Sequence, residues 1–277
     1  MSDKKLKIAI VSSKGGVGKS TIAMQLVAPY LYEKNNHQPI AYYEADDDNS
    51  DRLSFGGSSL TKRESIEVFT PLLRDNLTDI FATNETTCLD IGGNKTTNTV
   101  IEALNDSGMI HFLDLVVIPL LDGEQDSINA TIVYSLMKGY NSKLKFIFVL
   151  NRAQSHKYVK YQFENYFGDV RGIFQDVYSL KHYLFEEDKN RYAVMVEHDI
   201  IKYSRRFGLT TYEIALQERD FISELKLNMS EMSQEQEVRL LSFKNYVSKS
   251  AKSYHEDVLQ LAFKELDKVL QGEKNES

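Results

Sequence analysis

The sequence predicts an α/β fold with a mostly parallel central sheet, helices on both faces and a long C-terminal helix. Short runs that are apolar almost throughout alternate along the chain with stretches whose apolar residues recur at helical spacing. Continuously apolar strands are typical of parallel sheets that are covered by helices on both faces. Near the C-terminus, apolar residues three or four positions apart continue over a stretch long enough for one extended helix.

The composition is that of a globular protein and excludes several functional classes. Hydrophobic residues make up 42% of the 277 residues and only 4 residues are prolines, which excludes a disordered chain and a fibrous repeat. The formal charge is −7, from 33 basic and 40 acidic residues, so general attraction to DNA or to anionic lipid is not expected. A local basic patch remains compatible with that balance.

Targeting and redox features point to a reducing compartment. Cys88 is the only cysteine, which excludes an internal disulfide and any four-thiolate metal site within this chain. The apolar stretch near the N-terminus is too short for a secretory signal. No segment approaches the roughly 20 apolar residues needed to span a bilayer. We therefore expect a cytoplasmic protein without a transmembrane segment.

Six runs rich in β-branched and aromatic residues are predicted as strands. They are Leu6–Val11, Ile40–Glu44, Thr87–Ile91, Leu115–Leu120, Leu144–Leu150 and Tyr192–Val196. Between the first two, residues 20–33 have helical spacing and follow a glycine-rich loop, which predicts a strand, a loop and a helix in succession. No linker-like segment divides the chain before about residue 225. We predict one domain over residues 1–225 and a helical extension over residues 226–277.

The extension is predicted to contain one long helix. Its apolar residues are three or four positions apart: Leu240, Phe243, Val247, Ala251, Tyr254, Val258 and Leu261. This spacing is close to that of a coiled-coil seam. The helix therefore either packs on its own domain, which the presence of only about three heptads favours, or pairs with another helix.

A glycine-rich loop lies between the first predicted strand and the first predicted helix. It consists of Lys14, Gly15, Gly16, Val17, Gly18, Lys19, Ser20 and Thr21. Glycines let the backbone aim its N–H groups at phosphate oxygens, and the helix N-terminus adds partial positive charge. Lys19 is then placed for the β- and γ-phosphates of ATP, the Ser20 hydroxyl for Mg²⁺, and Thr21 for the α-phosphate. The loop predicts a site for ATP and Mg²⁺.

The string KGGVGKST departs from the common phosphate-loop pattern, because Ser13 replaces a glycine and Lys14 adds a second lysine. In this it resembles the deviant Walker A loop of ParA/MinD-type ATPases, and most of all that of plasmid partition and stability members. The resemblance covers roughly residues 5–215. It implies the P-loop fold of that family, a homodimer with ATP sandwiched between the subunits, and a catalytic role for Lys14 at the partner's nucleotide.

Two carboxylates are expected near the loop, because ligands of open parallel sheets bind at the C-terminal ends of the strands. Asp46 lies where the family has a D-x-D-P-Q stretch, and the resemblance implies that it orients or deprotonates the attacking water. Asp90 ends the third run and resembles the Walker B aspartate, which implies that it holds a Mg²⁺-bound water. Gly92 and Gly93 follow shortly after it, and one of them is expected to offer its backbone N–H to the γ-phosphate.

Other positions match the family more weakly. The strand that ends at Asn151 and Arg152 resembles the V-L-N-R element, which implies that the Asn151 carboxamide recognises adenine. Asp199 lies in a turn that, by the same resemblance, closes over the base. Asp126 matches an acidic position near the dimer interface of MinD-like members.

Together these motifs predict a Mg²⁺-dependent ATPase that acts as a positioning or segregation switch, for plasmid or conjugation DNA through a partner protein. Direct DNA binding would use the densest basic cluster, which is otherwise a solvated helix face and consists of Lys202, Arg205 and Arg206. A non-hydrolysing, nucleotide-gated scaffold is an alternative, because Glu44, Asp47 and Asp48 replace family residues. A P-loop phosphotransferase is a second alternative, and it requires a small-molecule acceptor.

Overall fold

A computed structural model describes residues 4–46, 54–173, 178–216 and 233–272. It contains a seven-stranded sheet in the order β3-β2-β4-β1-β5-β6-β7, in which every neighbouring pair is parallel. The strands are β1 (Lys7–Ile10), β2 (Ile40–Ala45), β3 (Thr61–Ser65), β4 (Thr87–Ile91), β5 (Leu115–Leu120), β6 (Phe146–Ala153) and β7 (Tyr192–Val196). The predicted fold class, with a mostly parallel sheet and a long C-terminal helix, is confirmed.

The six predicted strands are present, and β3 is an additional one. Its five residues are Thr, Lys, Arg, Glu and Ser, and none of them is fully buried. An edge strand with one free side needs no continuous apolar run, so β3 carries no hydrophobic signal. It pairs in parallel with β2, where Tyr42 lies opposite Arg63.

Helices connect the strands and cover both faces of the sheet. They are α1 (Lys19–Ile22), α2 (Ala28–Lys34), α3 (Leu73–Ala82), α4 (Lys95–Asp106), α5 (Glu124–Tyr140), α6 (Val159–Gln162), α7 (Glu164–Phe167), α8 (Asp199–Arg206), α9 (Thr211–Leu216), α10 (Gln234–Tyr254) and α11 (Gln260–Gln271). Two π-helical turns, Ala23–Val27 and His255–Leu259, join α1 to α2 and α10 to α11 without a break.

Alternate residues of every strand except β3 enter two separate cores. In β1, Ile8 and Ile10 pack with the loop helix and the C-terminal helices, whereas Ala9 faces the core that contains α3, α4 and α5. Both cores are built from fully buried aliphatic and aromatic side chains. Burial of each large aliphatic side chain contributes roughly 1.5–3 kcal/mol. The central strand is therefore fixed on both faces, and this fixes the point at which the following loop leaves the sheet.

The C-terminal helices pack on their own domain. Ser233 and Gln236 form a capping box at the start of α10. Further along, the Tyr254 hydroxyl donates to the Val196 carbonyl at 3.0 Å, and the Tyr30 hydroxyl donates to Asp267 Oδ1 at 2.8 Å. This is the first of the two arrangements that the spacing allows. The predicted domain boundary at residues 225 and 226 lies outside the described residues, as do Asp47 and Asp48.

Within the described ranges, none of the helices combines the length and the apolar character that crossing a bilayer requires.

Candidate functional site

The glycine-rich loop leaves the C-terminal end of β1 and enters α1 with two glycines in the left-handed region. Gly16 has a φ of 79° and Gly18 a φ of 91°. Only glycine adopts such angles without strain. The Ile22 amide donates to the Gly18 carbonyl at 2.8 Å, so the helix begins directly after the loop. The backbone thus has the turn that the phosphate-loop prediction requires.

A cavity of about 660 Å³ opens beside this loop. Nine of the predicted site residues line it: Gly15, Gly16, Gly18, Lys19, Ser20, Thr21, Asp46, Gly93 and Arg152. Strand order explains the convergence, because β2, β4 and β1 are neighbours and their C-terminal ends lie along one edge of the sheet. Residues distant in sequence are thereby brought to one place.

Lys19 extends back along the loop. Its Nζ donates to the Lys14 carbonyl at 3.1 Å. Burial lowers the pKa of Lys19, and the nearby Asp90 and Asp46 carboxylates oppose this by favouring the charged form. A Cβ at Gly93 would lie 3.2 Å from Lys19 Nζ and 3.3 Å from the Gly15 amide nitrogen. Gly93 therefore lies close against the phosphate loop, as its predicted role requires.

Asp90 is fully buried at the end of β4 and lies next to Ser20. Burial raises its pKa, while hydrogen bonds from Tyr42 and Ser20 and the positive charge of Lys19 act in the opposite direction. The Tyr42 hydroxyl donates to Asp90 Oδ2 at 2.8 Å. Tyr42 was not among the predicted site residues, yet its hydrogen bond fixes the orientation of the carboxylate that faces Ser20.

We predict that Tyr42→Phe raises the Mg²⁺ concentration needed for half-saturation of ATP binding by about 10–100-fold. The reason is that the substitution removes the hydrogen bond that orients Asp90. A Mg²⁺ titration with a fluorescent ATP analogue measures this. Tyr43→Phe is the matched control, since the Tyr43 side chain belongs to the opposite core. Equal Mg²⁺ half-saturation in wild type and Tyr42→Phe would refute the role of this hydrogen bond.

The oxygen ligands at Ser20 and Asp90 suit a magnesium ion that is held mainly by a nucleotide. No group of three His, Cys, Asp or Glu residues that could hold a metal occurs in the parts of the chain that the structure describes. Mg²⁺ usually takes one or two protein oxygens together with phosphate oxygens and water. The adjoining hydroxyl of Ser20 and carboxylate of Asp90 supply such a pair.

Asp46 projects into the cavity from the end of β2 and lies against Gly92. A Cβ at Gly92 would come within 2.7 Å of Asp46 Cγ and 3.0 Å of the Ala45 carbonyl oxygen. The Gly92 amide also donates to that carbonyl at 2.7 Å. Glu44, two residues earlier, is instead buried beside Arg63, with 3.4 Å between Oε2 and the guanidinium. Asp46 is the carboxylate of β2 that faces the cavity.

Lys14 forms an ion pair within its own chain. Its Nζ lies 3.0 Å from Asp126 Oδ2, and the Asp126 side chain is only 4% exposed. Asp126 Oδ1 is buried and has no hydrogen-bond partner among the described residues. Lys14 is therefore the main compensation for a buried carboxylate.

A second cavity of about 400 Å³ adjoins the first, and Thr21, Arg152 and Arg205 line both. Asn151 and Asp199 line the second cavity only. Asn151 Nδ2 donates to the Val17 carbonyl at 2.8 Å, which connects β6 to the phosphate loop. Adenine recognition by Asn151 and closure by Asp199 stay predictions.

The residues that line the first cavity without having been predicted there include Arg205, Lys95 and Phe69. Arg205 reaches both cavities from α8, and its guanidinium lies 5.8 Å from the Phe55 ring centroid. Lys95, at the start of α4, lines the first cavity. Phe69 also lines it and is 60% exposed. Arg205 was noted only as part of a basic cluster, and the other two carry no local sequence signal.

Neither a protein-family model nor a curated protein sequence matches the chain. Solved structures do. McdA from Cyanothece, in complex with ATP, is 12% identical with a TM-score of 0.45 over 83% of this chain and 100% of that chain. The MinD cell division protein of Aquifex aeolicus is 12% identical with a TM-score of 0.47, over 91% and 95%. A plasmid partition protein from Borrelia burgdorferi is 16% identical with a TM-score of 0.44, over 78% and 100%. A MinD protein and a plasmid partition protein are thus among the solved structures to which this chain is similar.

Proposed function

We propose that the protein is a Mg²⁺-dependent ATPase that dimerises on ATP and acts as a positioning switch. The observation that supports this most directly is the convergence of Lys19, Ser20 and Asp46 on one cavity, with the buried Asp90 carboxylate next to Ser20. These groups come from the ends of three neighbouring strands. They are the groups that phosphoryl transfer to water needs.

Each residue has a defined task in this proposal. The loop amides and Lys19 bind the phosphates, while Ser20 and Asp90 hold the magnesium ion directly or through water. Bound Mg²⁺ offsets phosphate charge and so makes the γ-phosphorus more open to attack. Asp46 orients the attacking water, because it is the carboxylate at the end of β2 that faces the cavity. The purine lies in the second cavity.

In the proposed dimer, Lys14 exchanges partners. In the single chain it compensates the buried Asp126 carboxylate. Breaking such a pair is costly unless another strong partner replaces it. The phosphates of a nucleotide in the other subunit offer more negative charge than one carboxylate. The exchange would thus be favoured by ATP and disfavoured once the terminal phosphate has left.

For the cargo, we propose plasmid or conjugation DNA, moved in the cytoplasm through a partner protein. This part rests on the resemblance of the loop alone. Direct DNA binding would have to involve α8, where Lys202 and Arg205 already line the nucleotide cavities and Arg206 is exposed away from them. Only one basic residue is thus available on that helix, which favours an indirect link.

Light scattering with size-exclusion chromatography, together with phosphate release, tests the proposal. Wild type should dimerise with Mg·ATP and remain monomeric with Mg·ADP. Lys14→Ala should no longer form the dimer but should keep most of its affinity for ATP. In the wild-type chain the Lys14 Nζ contacts Asp126 and not Lys19 or Ser20. Lys143→Ala is the control, since it removes the same charge from an exposed position that lines neither nucleotide cavity.

Three outcomes separate the alternatives. An ATP-specific dimer without any phosphate release would support the scaffold. Transfer of phosphate to an added small molecule would support the phosphotransferase. An oligomeric state that is the same with Mg·ATP and with Mg·ADP, in wild type and in Lys14→Ala, would contradict the proposed switch.

A further inference from the structure

The sheet ends at β7, and the outer side of this strand is open over part of its length. Phe148 lies opposite Tyr192, and the Phe148 amide donates to the Arg191 carbonyl at 3.0 Å. In a parallel ladder the N–H and C=O of alternate residues point to the same neighbour. Ala193 and Met195 therefore bond to β6, whereas the backbone groups of Tyr192 and Val194 point away from it. Among the described residues, no strand pairs with that side.

The strand itself contains none of the residues that usually protect an edge, although α11 lies beside it. Exposed edge strands are generally guarded by a lysine or proline within the strand or by a bulge that turns the edge away. β7 reads Tyr-Ala-Val-Met-Val and contains no charged residue or proline. At its end, the Val196 carbonyl is covered by the Tyr254 hydroxyl. The uncovered part is centred on Tyr192 and Val194.

A cleft of about 520 Å³ lies along this uncovered part. Helix α11 forms one wall with Leu261, which is 43% exposed, and Ala262. The other wall contains Phe167, whose ring packs edge-on against Tyr192 at 5.1 Å between centroids. An added strand would fit between these walls and direct its side chains alternately toward each.

The second wall is positively charged, although the chain as a whole carries −7. Lys160 and Lys181 both line the cleft, and neither forms an ion pair among the described residues. Lys181 Nζ donates to Asn190 Oδ1 at 2.9 Å and lies 5.0 Å from the Phe167 ring centroid. Burial and the charges of Lys160 and Lys189 lower its pKa. On the α11 wall, Lys268 is already paired with Glu265 at 2.8 Å.

The segment that forms the charged wall is anchored by the buried Asp188. Asp188 is completely buried and accepts hydrogen bonds from Lys138 and Tyr134, each at 2.8 Å, as well as from Arg191. This cluster fixes the segment between Lys181 and Tyr192 to α5. A preformed cleft loses little conformational entropy when a ligand binds.

We propose that the outer edge of β7 is a docking site for an extended acidic segment of a partner protein, which adds an eighth strand to the sheet. Backbone hydrogen bonds to Tyr192 and Val194 supply affinity, as in other cases of strand addition. Apolar side chains of the segment face Leu261 and Ala262, and acidic side chains face Lys160 and Lys181. The site lies apart from the nucleotide cavities and does not depend on the proposed ATPase activity.

A labelled peptide of about six residues, with alternating valine and glutamate, is the probe. Fluorescence anisotropy should show that it binds wild type, and that the double variant Lys160→Glu, Lys181→Glu binds it at least about tenfold more weakly. The double variant Lys62→Glu, Lys143→Glu has the same net charge, and it should bind like wild type. A valine–lysine peptide should not bind.

Amide hydrogen exchange gives a second readout with its own internal control. The amides of Tyr192 and Val194 should exchange fast in the free protein and become protected when the valine–glutamate peptide is added. The Ala193 amide, bonded to β6, should be protected in both states. Protection of Tyr192 and Val194 without peptide would mean that the chain itself fills the edge, and would overturn the proposal.

Other results would also overturn it. These are absence of peptide binding, equal binding of both peptides, and equal weakening by the two double variants. A nucleotide-free wild-type dimer that dissociates in Lys160→Glu, Lys181→Glu would assign the edge to a second copy instead.

Discussion

Replacement of Asp46 by asparagine is expected to lower kcat for ATP hydrolysis by about 10²–10⁴-fold while ATP-dependent dimerisation persists. Asparagine keeps the shape of the side chain against Gly92 but cannot accept a proton from water. The carboxylate lies outside the phosphate loop, so its loss should leave ATP affinity nearly unchanged. Steady-state phosphate release and binding of a fluorescent ATP analogue measure the two quantities separately.

Glu64→Gln is the matched control for this experiment. Glu64 is an exposed carboxylate on the neighbouring strand β3 and lines a different pocket, so its neutralisation should leave kcat unchanged. Normal turnover by Asp46→Asn would show that another group orients the water. Loss of ATP binding and turnover together would mean that Asp46 has a structural role instead.

A second large effect is expected for Gly18→Ala, which should reduce ATP affinity by at least about 30-fold. Gly18 has a φ of 91°, and a Cβ there would lie 2.4 Å from Asn151 Nδ2. The left-handed angle costs an alanine roughly 1–2 kcal/mol. Displacement of Asn151 would also break its 2.8 Å hydrogen bond to Val17, worth about 1–3 kcal/mol because both groups are buried. The sum, about 2–5 kcal/mol, corresponds to a large loss either of binding or of stability.

Thermal unfolding and ATP binding should therefore be measured on the same samples. Gly139→Ala is the control, because nothing lies within 4 Å of a Cβ there and the residue is inside α5. That change should stabilise the protein by about 0.5–1 kcal/mol, since alanine has the higher helix propensity. Wild-type affinity and stability in Gly18→Ala would contradict the loop geometry.

The parts of the site that could be predicted from sequence are those fixed by short motifs and by the ends of strands. The phosphate loop, Asp46 and Asp90 are local signals, and a parallel sheet brings strand ends together whatever the other residues are. Tyr42 could not be found in this way. An aromatic residue inside an apolar run predicts a core position, and its hydroxyl reaches Asp90 only because β2 and β4 pair in one particular register.

Contacts between distant parts of the chain could not be predicted from local sequence patterns for a similar reason. The aromatic segment between Tyr158 and Phe185 carries no family motif, and only the folded chain shows that its rings cover β6 and β7. The buried pair of Lys138 and Asp188 joins residues far apart in the sequence. The sequence around each of them does not distinguish it from a charged residue that is exposed to solvent.

The packing of the C-terminal helices on the loop helix has a consequence for protein synthesis. One core contains Ile22 and Tyr30 from the beginning of the chain together with Phe263 and Val269 from near its end. At about 5–20 residues per second, the interval between adding Lys34 and adding Gln271 is on the order of ten to fifty seconds. During that time the apolar face of the phosphate-loop helix lacks its cover on the ribosome. Nascent chains of this protein are therefore exposed to aggregation and to chaperone binding until nearly the whole sequence has been translated.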